Sequence, residues 1–265
     1  MNFGVKIAGI LNITEDSFSD GGDFLKFENA IKKTHTLILE GADVIDVGAI
    51  SSNPNGKDVP IELEIKRLKP IVGYALKNRI AISIDTWRLE VQKFFLEYPI
   101  HFLNDITGFS HPEIYPILRD HSCKLILMHQ ISSGRAEIID HNEKIVERIF
   151  RFFDQRLEQF IQAGISEDRI IIDPGMGFFL GSDPMISFQV INAIPEIKKR
   201  YKLPVYISVS RKSFLGKVAN IENPKERNYV TLACELELIK KGIDWIRTHD
   251  PKPIRDSLKI LQWIQ

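Results

Sequence analysis

The sequence predicts an α/β chain folded as one (β/α)8 TIM-type barrel, a single domain over residues 1–265. Three observations carry this. Eight short runs rich in β-branched and aliphatic residues recur along the chain, most of them continuously apolar, as strands covered on both faces are. Amphipathic segments with helical spacing lie between them. No Gly/Ser linker or low-complexity tract marks off a second domain, and 265 residues suffice for one large core.

The first strand is expected over 5–11. It gives way to Asn12, Asp16 and Ser17, and a helical pattern over 27–42 follows, with Gly41 as a C-cap. A strand over 44–47 leads to Gly48, Ser51, Ser52 and Asn53, then a helix over 61–76. The strand over 81–84 ends on Asp85 and Thr86 before a helical pattern over 86–97. The strand over 102–106 contains Asn104 and Asp105. The strand over 124–128 closes on Met128 and His129, and a long amphipathic helix over 141–164 ends at Gly164. The strand over 170–172 precedes Asp173 and "PGMGF". The strand over 205–209 runs directly into Ser210, Arg211 and Lys212. A helix over 223–242 stops at Gly242. The last strand, over 245–247, supplies Arg247, His249 and Asp250, and a closing helix is expected over 253–264. An open doubly wound sheet is the competing architecture. Its Gly-rich turn is missing, because the first strand runs into "LNITEDSFSDGG".

Lys plus Arg and Asp plus Glu both number 35, so the net charge is zero. That argues against a general affinity for nucleic acid or anionic membrane, and any anion site must be local. The opening "MNFGVKIAGILNITED" holds too short an apolar run for a signal peptide, and no run approaches spanning length, so a cytoplasmic protein is expected. Cys123 and Cys234 lie in apolar stretches without metal-ligand spacing and read as core thiols.

In a barrel of this kind the active site lies where the strands end. Taken singly, polar strand ends are loop chemistry: Asp16 suits a turn cap, Asp105 a backbone-amide acceptor, Thr86 a helix cap. As a set they divide by chemistry. Asp85, Asn104, Asp173 and Lys212 offer acceptors and donors for a flat, hydrogen-bonding heterocycle. Arg247, His249 and the Asn12 region suit a phosphorylated group, with Mg²⁺ as its oxygen-loving counter-ion. Arg211 suits stacking on an aromatic ring.

The stretches "GILNITEDSFSDGG", "GADVIDVGAISSNP", "ISIDT", "LNDITG", "LILMH", "IIDPGMGF", "SVSRKSF" and "IRTHD" occur in this order. Together the chain resembles the dihydropteroate synthase family over nearly its full length. The resemblance implies condensation of 6-hydroxymethyl-7,8-dihydropterin diphosphate with p-aminobenzoate, giving 7,8-dihydropteroate and pyrophosphate. It implies a pterin pocket of Asp85, Asn104, Met128, Asp173, Phe178 and Lys212. It implies a diphosphate side of Arg247, His249 and Asn12, with Asn12 toward Mg²⁺. Ser51, Ser52, Asn53, Arg211 and Ser213 fall to the second substrate, and Asp85, Lys212 and Arg211 to catalysis. A homodimer is implied as well.

Three departures stand out. Ser51-Ser52-Asn53-Pro54-Asn55 replaces the family's Ser-Thr-Arg-Pro-Gly, so Asn53 removes a charge. Glu15 replaces a proline in the first loop, and Phe179-Leu180 replaces Gly-Lys. A working synthase with altered loops is the leading reading. A pterin-binding paralogue with weak or different activity is the alternative, and a folate-type methyltransferase domain or a purely structural protein ranks below both.

Overall fold

Side-chain alternation along the strands decides where each functional residue sits. The computed structural model describes residues 4–13, 23–54, 56–130, 134–137 and 143–264. Its eight strands are β1 (Lys6–Asn12), β2 (Val44–Gly48), β3 (Ile82–Asp85), β4 (Phe102–Asp105), β5 (Lys124–Met128), β6 (Ile170–Asp173), β7 (Tyr206–Ile207) and β8 (Trp245–Thr248). All pair in parallel, in the order β6-β5-β4-β3-β2-β1-β8-β7. The outer members β6 and β7 meet through one parallel bridge, Ile172 to Val205, and Ile172 N donates to Pro204 O at 2.9 Å. The sheet thereby closes as the predicted barrel.

The described helices are α1 (Asp23–Leu39), α2 (Ile61–Lys77), α3 (Leu89–Phe95), α4 (Tyr115–Asp120), α5 (Ile145–Gln162), α6 (Pro184–Tyr201), α7 (Ser213–Ala219), α8 (Asn228–Lys240) and α9 (Pro251–Ile264). They shield the outer face of the barrel. One strand parity (Ile7, Ile45, Ile84, Leu103, Leu125, Ile172, Ile207, Ile246) packs with helix residues such as Leu37, Leu68, Phe95, Phe153, Ile194 and Leu238. The other parity (Ala8, Val44, Ile126, Ile171, Tyr206, Trp245) fills the barrel itself. Gly9 marks a close strand–helix approach, since a Cβ there would lie 3.2 Å from the Leu37 Cβ.

Three differences from the sequence reading have physical reasons. β7 is two residues long rather than five, because the chain leaves the ladder after Ile207 to build the turn described below. The helix expected over 86–97 is confined to α3, with Thr86 occupied in side-chain bonds. α4, α6 and α7 were not placed from the pattern. Two of them are too short to show a period, and α6 carries Pro195 in its interior. Cys123 and Cys234 are free thiols, and burial pushes them up to about 11 and about 12. Among the described residues no helix is long and apolar enough to cross a membrane.

Candidate active site

Asp85, Met128 and Asp173 end their strands and Asn104 is the next-to-last residue of β4; all four have the inward parity, so they converge on the mouth of the barrel. Asp105 and Thr248 have the opposite parity. Asp105 accepts from Gln92 Nε2 (2.7 Å), Thr107 N (2.7 Å) and Phe109 N (3.2 Å), the structural role considered for it. Thr86 donates to Glu64 Oε1 at 2.7 Å and likewise serves the scaffold.

One fully buried polar group at the mouth is one that strand-end reasoning missed. Asp46 lies within β2, fully buried, and accepts from Arg247 Nε at 2.5 Å and from Asn104 Nδ2 at 3.3 Å. Arg247 also donates from Nη2 to Asp85 Oδ2 at 2.7 Å. One guanidinium therefore serves two carboxylates at the barrel mouth. Burial pushes Asp85 up to about 7; Arg247 opposes the shift, and Asp46 adds to it. Burial works against the Arg247 cation, yet the flanking carboxylates outweigh it and hold its pKa up.

Asp173 is fixed by the turn that follows it. Its Oδ1 accepts from Gly175 N at 2.8 Å. Gly175 has φ +76°, and a Cβ there would lie 2.7 Å from His129 O, so both conformation and space require glycine. Burial pushes Asp173 up to about 6, while Gly175, Lys212 and Arg247 pull it down. Burial pushes Lys212 down to about 8, with Asp173 opposing. Lys212 Nζ donates to Met176 O at 2.8 Å and lies 4.9 Å from the centre of the Phe179 ring. Met128, Phe178 and Phe179 join Ile106, Ala136 and Trp87 in a separate apolar cluster beside these polar groups. A flat ring with an apolar face and polar edges fits such a combination.

The rim is built by the chain after β7 and β8. His249 Nδ1 shares a 2.9 Å hydrogen bond with Ser210 Oγ. Burial, reinforced by the charges of Arg211, Arg247 and Lys33, lowers His249 to about 3, so its imidazole is neutral near pH 7. Arg211 has φ +60°, which is uncommon for a side chain with a Cβ and marks a conformation held in place by its surroundings. Its Nη2 donates to Asp250 Oδ2 at 2.8 Å, its backbone N donates to Thr231 Oγ1 at 3.1 Å, and its carbonyl accepts from Arg227 Nη1 at 2.9 Å.

A cleft of about 620 Å³ opens beside the mouth. Its walls bring together Ser51, Ser52 and Asn53 with Phe178, Arg211, Lys212, Ser213 and His249. The predicted second-substrate residues thus share one cavity with part of the predicted pterin set. Arg247 and Asn12 do not line it: Arg247 is turned onto its carboxylates, and Asn12 ends β1 with an exposed side chain. Glu15, Asp16, Ser17 and Asn55 lie outside the described residues. Among the described residues no group of three His, Cys, Asp or Glu can hold a metal ion. Asn12 offers one amide oxygen, a donor set that suits a Mg²⁺ held mainly by phosphate oxygens and water.

Residues 8–249 match the family model described as pterin binding enzyme. Dihydropteroate synthase type-3 of Escherichia coli is 48% identical over 257 residues, 96% of this chain and 97% of the relative. Dihydropteroate synthase type-2 of Escherichia coli is 42% identical over 265 residues, covering 98% and 96%. Among solved structures, the Xanthomonas albilineans dihydropteroate synthase with 4-aminobenzoic acid superposes with a TM-score of 0.90 at 30% identity, covering 98% of this chain and 93% of that one. The same enzyme in complex with 7,8-dihydropteroate gives a TM-score of 0.86 at 28% identity, covering 98% and 94%.

Proposed function

The chain belongs to the pterin-binding enzyme family, among the dihydropteroate synthases, and we infer from that membership that it joins 6-hydroxymethyl-7,8-dihydropterin diphosphate to p-aminobenzoate. The products are 7,8-dihydropteroate and pyrophosphate. One observation supports this reading above others: Asp85, Asn104, Asp173 and Lys212 meet at one end of the barrel beside an apolar wall, and Lys212 also lines the cleft that opens next to them.

In this reading the Asp173 carboxylate accepts from the pterin ring's amino and N–H edge, while Asn104 and the Lys212 ammonium donate to ring nitrogen and carbonyl oxygen. Met128 and Phe178 cover a ring face. The C–O bond to the diphosphate breaks and its electron pair leaves with pyrophosphate. Positive charge develops on the pterin methylene and spreads into the ring, where ionised Asp85 stabilises it. The amine of p-aminobenzoate then supplies the electron pair for the new C–N bond and loses a proton. The sequence shows no nucleophile–base pair, and none is required. Arg211 lies against the ring and the second substrate, in the cleft lined by Ser51, Ser52, Asn53 and Ser213.

Arg247, His249 and Asn12 are assigned to the diphosphate. For Arg247 this means exchanging part of its present pairing with Asp46 and Asp85 for phosphate oxygens. Neutral His249 serves as an N–H donor rather than a cation. Mg²⁺, bound through diphosphate oxygens and Asn12, would neutralise charge on the leaving group. We further assign the protein to the cytoplasm, as a homodimer to which α8, with its exposed Tyr229, contributes surface.

The deciding experiment incubates purified protein with the pterin diphosphate, Mg²⁺ and p-aminobenzoate and follows pyrophosphate and dihydropteroate. Pyrophosphate release should require both the metal and the amine. The KM for p-aminobenzoate should exceed that of a relative with arginine at the position of Asn53, because the second site rests on loops while the pterin pocket rests on strand ends. Pterin binding without amine-dependent release would favour the paralogue.

A further inference from the structure

Residues 134–137, between β5 and α5, lie against the loop between β2 and α2. Ala136 N donates to Ser52 O at 3.2 Å. The Arg135 guanidinium donates from Nε to Ser51 O at 3.1 Å, from Nη1 to Asp58 Oδ1 at 2.9 Å and from Nη2 to Lys57 O. One planar fork thus reaches acceptors on residues 51, 57 and 58, both ends of the β2–α2 loop. The turn beneath it is closed: Asn53 N donates to Ser51 Oγ at 3.2 Å and Gly56 N to Asn53 O at 2.9 Å. A Cβ on Gly56 would lie 3.0 Å from Ser51 O, 3.1 Å from Asn53 O and 3.2 Å from Arg135 Nε. Ser51, Ser52, Asn53 and Ala136 all line the cleft.

We propose that Arg135 is a positioning residue for the second substrate: it ties residues 134–137 to the β2–α2 loop and so presets Ser51, Ser52 and Asn53 for p-aminobenzoate. The assignment of the cleft to p-aminobenzoate is inherited from the function proposed above. A loop that must order when substrate binds loses chain entropy at that step, and a loop already held does not. The coupling lies in the two carbonyls more than in the ion pair, because the Asp58 side chain is 89% exposed and screened by solvent. A lysine cannot replace the arginine. Its ammonium is a point charge and cannot span carbonyls on residues 51 and 57 in one plane.

Two measurements test this. Hydrogen–deuterium exchange of residues 51–58, without ligands, should speed up at least tenfold in Arg135→Ala and Arg135→Lys, and less in Asp58→Asn. In steady-state kinetics both Arg135 variants should raise the KM for p-aminobenzoate about tenfold, with affinity for the pterin diphosphate within twofold of wild type. Gly56→Ala, which crowds the same fork from below, should shift that KM in the same direction. Unchanged exchange, an unchanged KM, or an equal loss of pterin affinity would each overturn the proposal. Exchange needs no turnover. A wild type that fails to make dihydropteroate would refute the function while exchange still decided the loop coupling.

Discussion

Asp173 and Lys212 are poised to titrate on opposite sides of neutrality, and this gives the pterin pocket a pH signature. A carboxylate accepts ring N–H groups fully only when ionised, and an amine donates three hydrogens only when protonated. With Asp173 raised to about 6, Asp85 to about 7 and Lys212 lowered to about 8, pterin affinity should peak between about 7 and 8. It should weaken as pH falls through 7 to 6 and again as pH rises past 8. Fluorescence titration from pH 5 to 9 would read this directly, and a flat profile would sink the pocket assignment. Asp173→Asn and Lys212→Ala should each cost about 2–5 kcal/mol of binding, the range for truncating one partner of a buried charged pair, with Lys212→Ala also removing the alkaline limb. These residues were legible because they directly end or follow apolar runs. Asp46 was not, because it interrupts its run from within. The signal was available: Asp46 shares the parity of Val44, and a carboxylate on the inward face of a buried strand needs a partner, here Arg247 some 200 positions on.

Among the elements, the shortest strand carries the most chemistry. An apolar run over 205–209 looks like a five-residue strand, but β7 pairs only over Tyr206–Ile207. Beyond it Ser208 Oγ donates to Arg247 O at 3.4 Å, and Lys212 N donates to Val209 O at 3.1 Å, closing a turn with Arg211 at its left-handed corner. Alternation cannot report that a strand's last residues have exchanged ladder bonds for a turn. It also hid α6, although the start was marked by Asp183, which caps Met185 N at 2.8 Å, and by Pro184 in the first turn. The turn implies a separation of stability from function. Replacing Arg211 by glycine relieves a backbone cost of about 1 kcal/mol and removes a part-exposed pair with Asp250 worth up to about 1 kcal/mol. The main-chain bonds to Thr231 and Arg227 remain. Arg211→Gly should therefore stay within about 1 kcal/mol of wild type in denaturant unfolding while losing tenfold or more in kcat/KM. A collapse of stability would show the arginine to be scaffold.

At the scale of the whole molecule, zero net charge conceals a fold that buries acids at the barrel mouth and behind it. Asp85 is raised to about 7, and Glu235, buried on α8 behind Thr248, to about 8. A carboxylate whose folded pKa lies above its unfolded value of about 4 holds extra protons in the folded state. Its stabilising share is complete below pH 4 and disappears as pH rises through the folded pKa. His129 and His249, both lowered to about 3, act oppositely: they cost stability as pH falls through about 6.5, and their slope fades out by about pH 7.5. Lys212, lowered to about 8 from 10.5, restores stability only as pH climbs beyond 8. From pH 6.5 to 8 the raised acids, Glu235 foremost, therefore outweigh the opposing tails of the two histidines and Lys212. Ligand-free protein should lose stability across this interval, by at most about 2–3 kcal/mol at 1.4 kcal/mol per proton and pH unit. Denaturant unfolding at pH 6.5, 7.2 and 8.0 measures this. Glu235→Gln, which keeps the shape and removes the titration, should flatten most of the slope, because Glu235 holds its proton over more of the interval than Asp85 does. Equal stability at the three pH values in wild type, or an undiminished slope in Glu235→Gln, would mean that this acid is ionised in its buried place. Its Oε1, which has no hydrogen-bond partner among the described residues, would then need one.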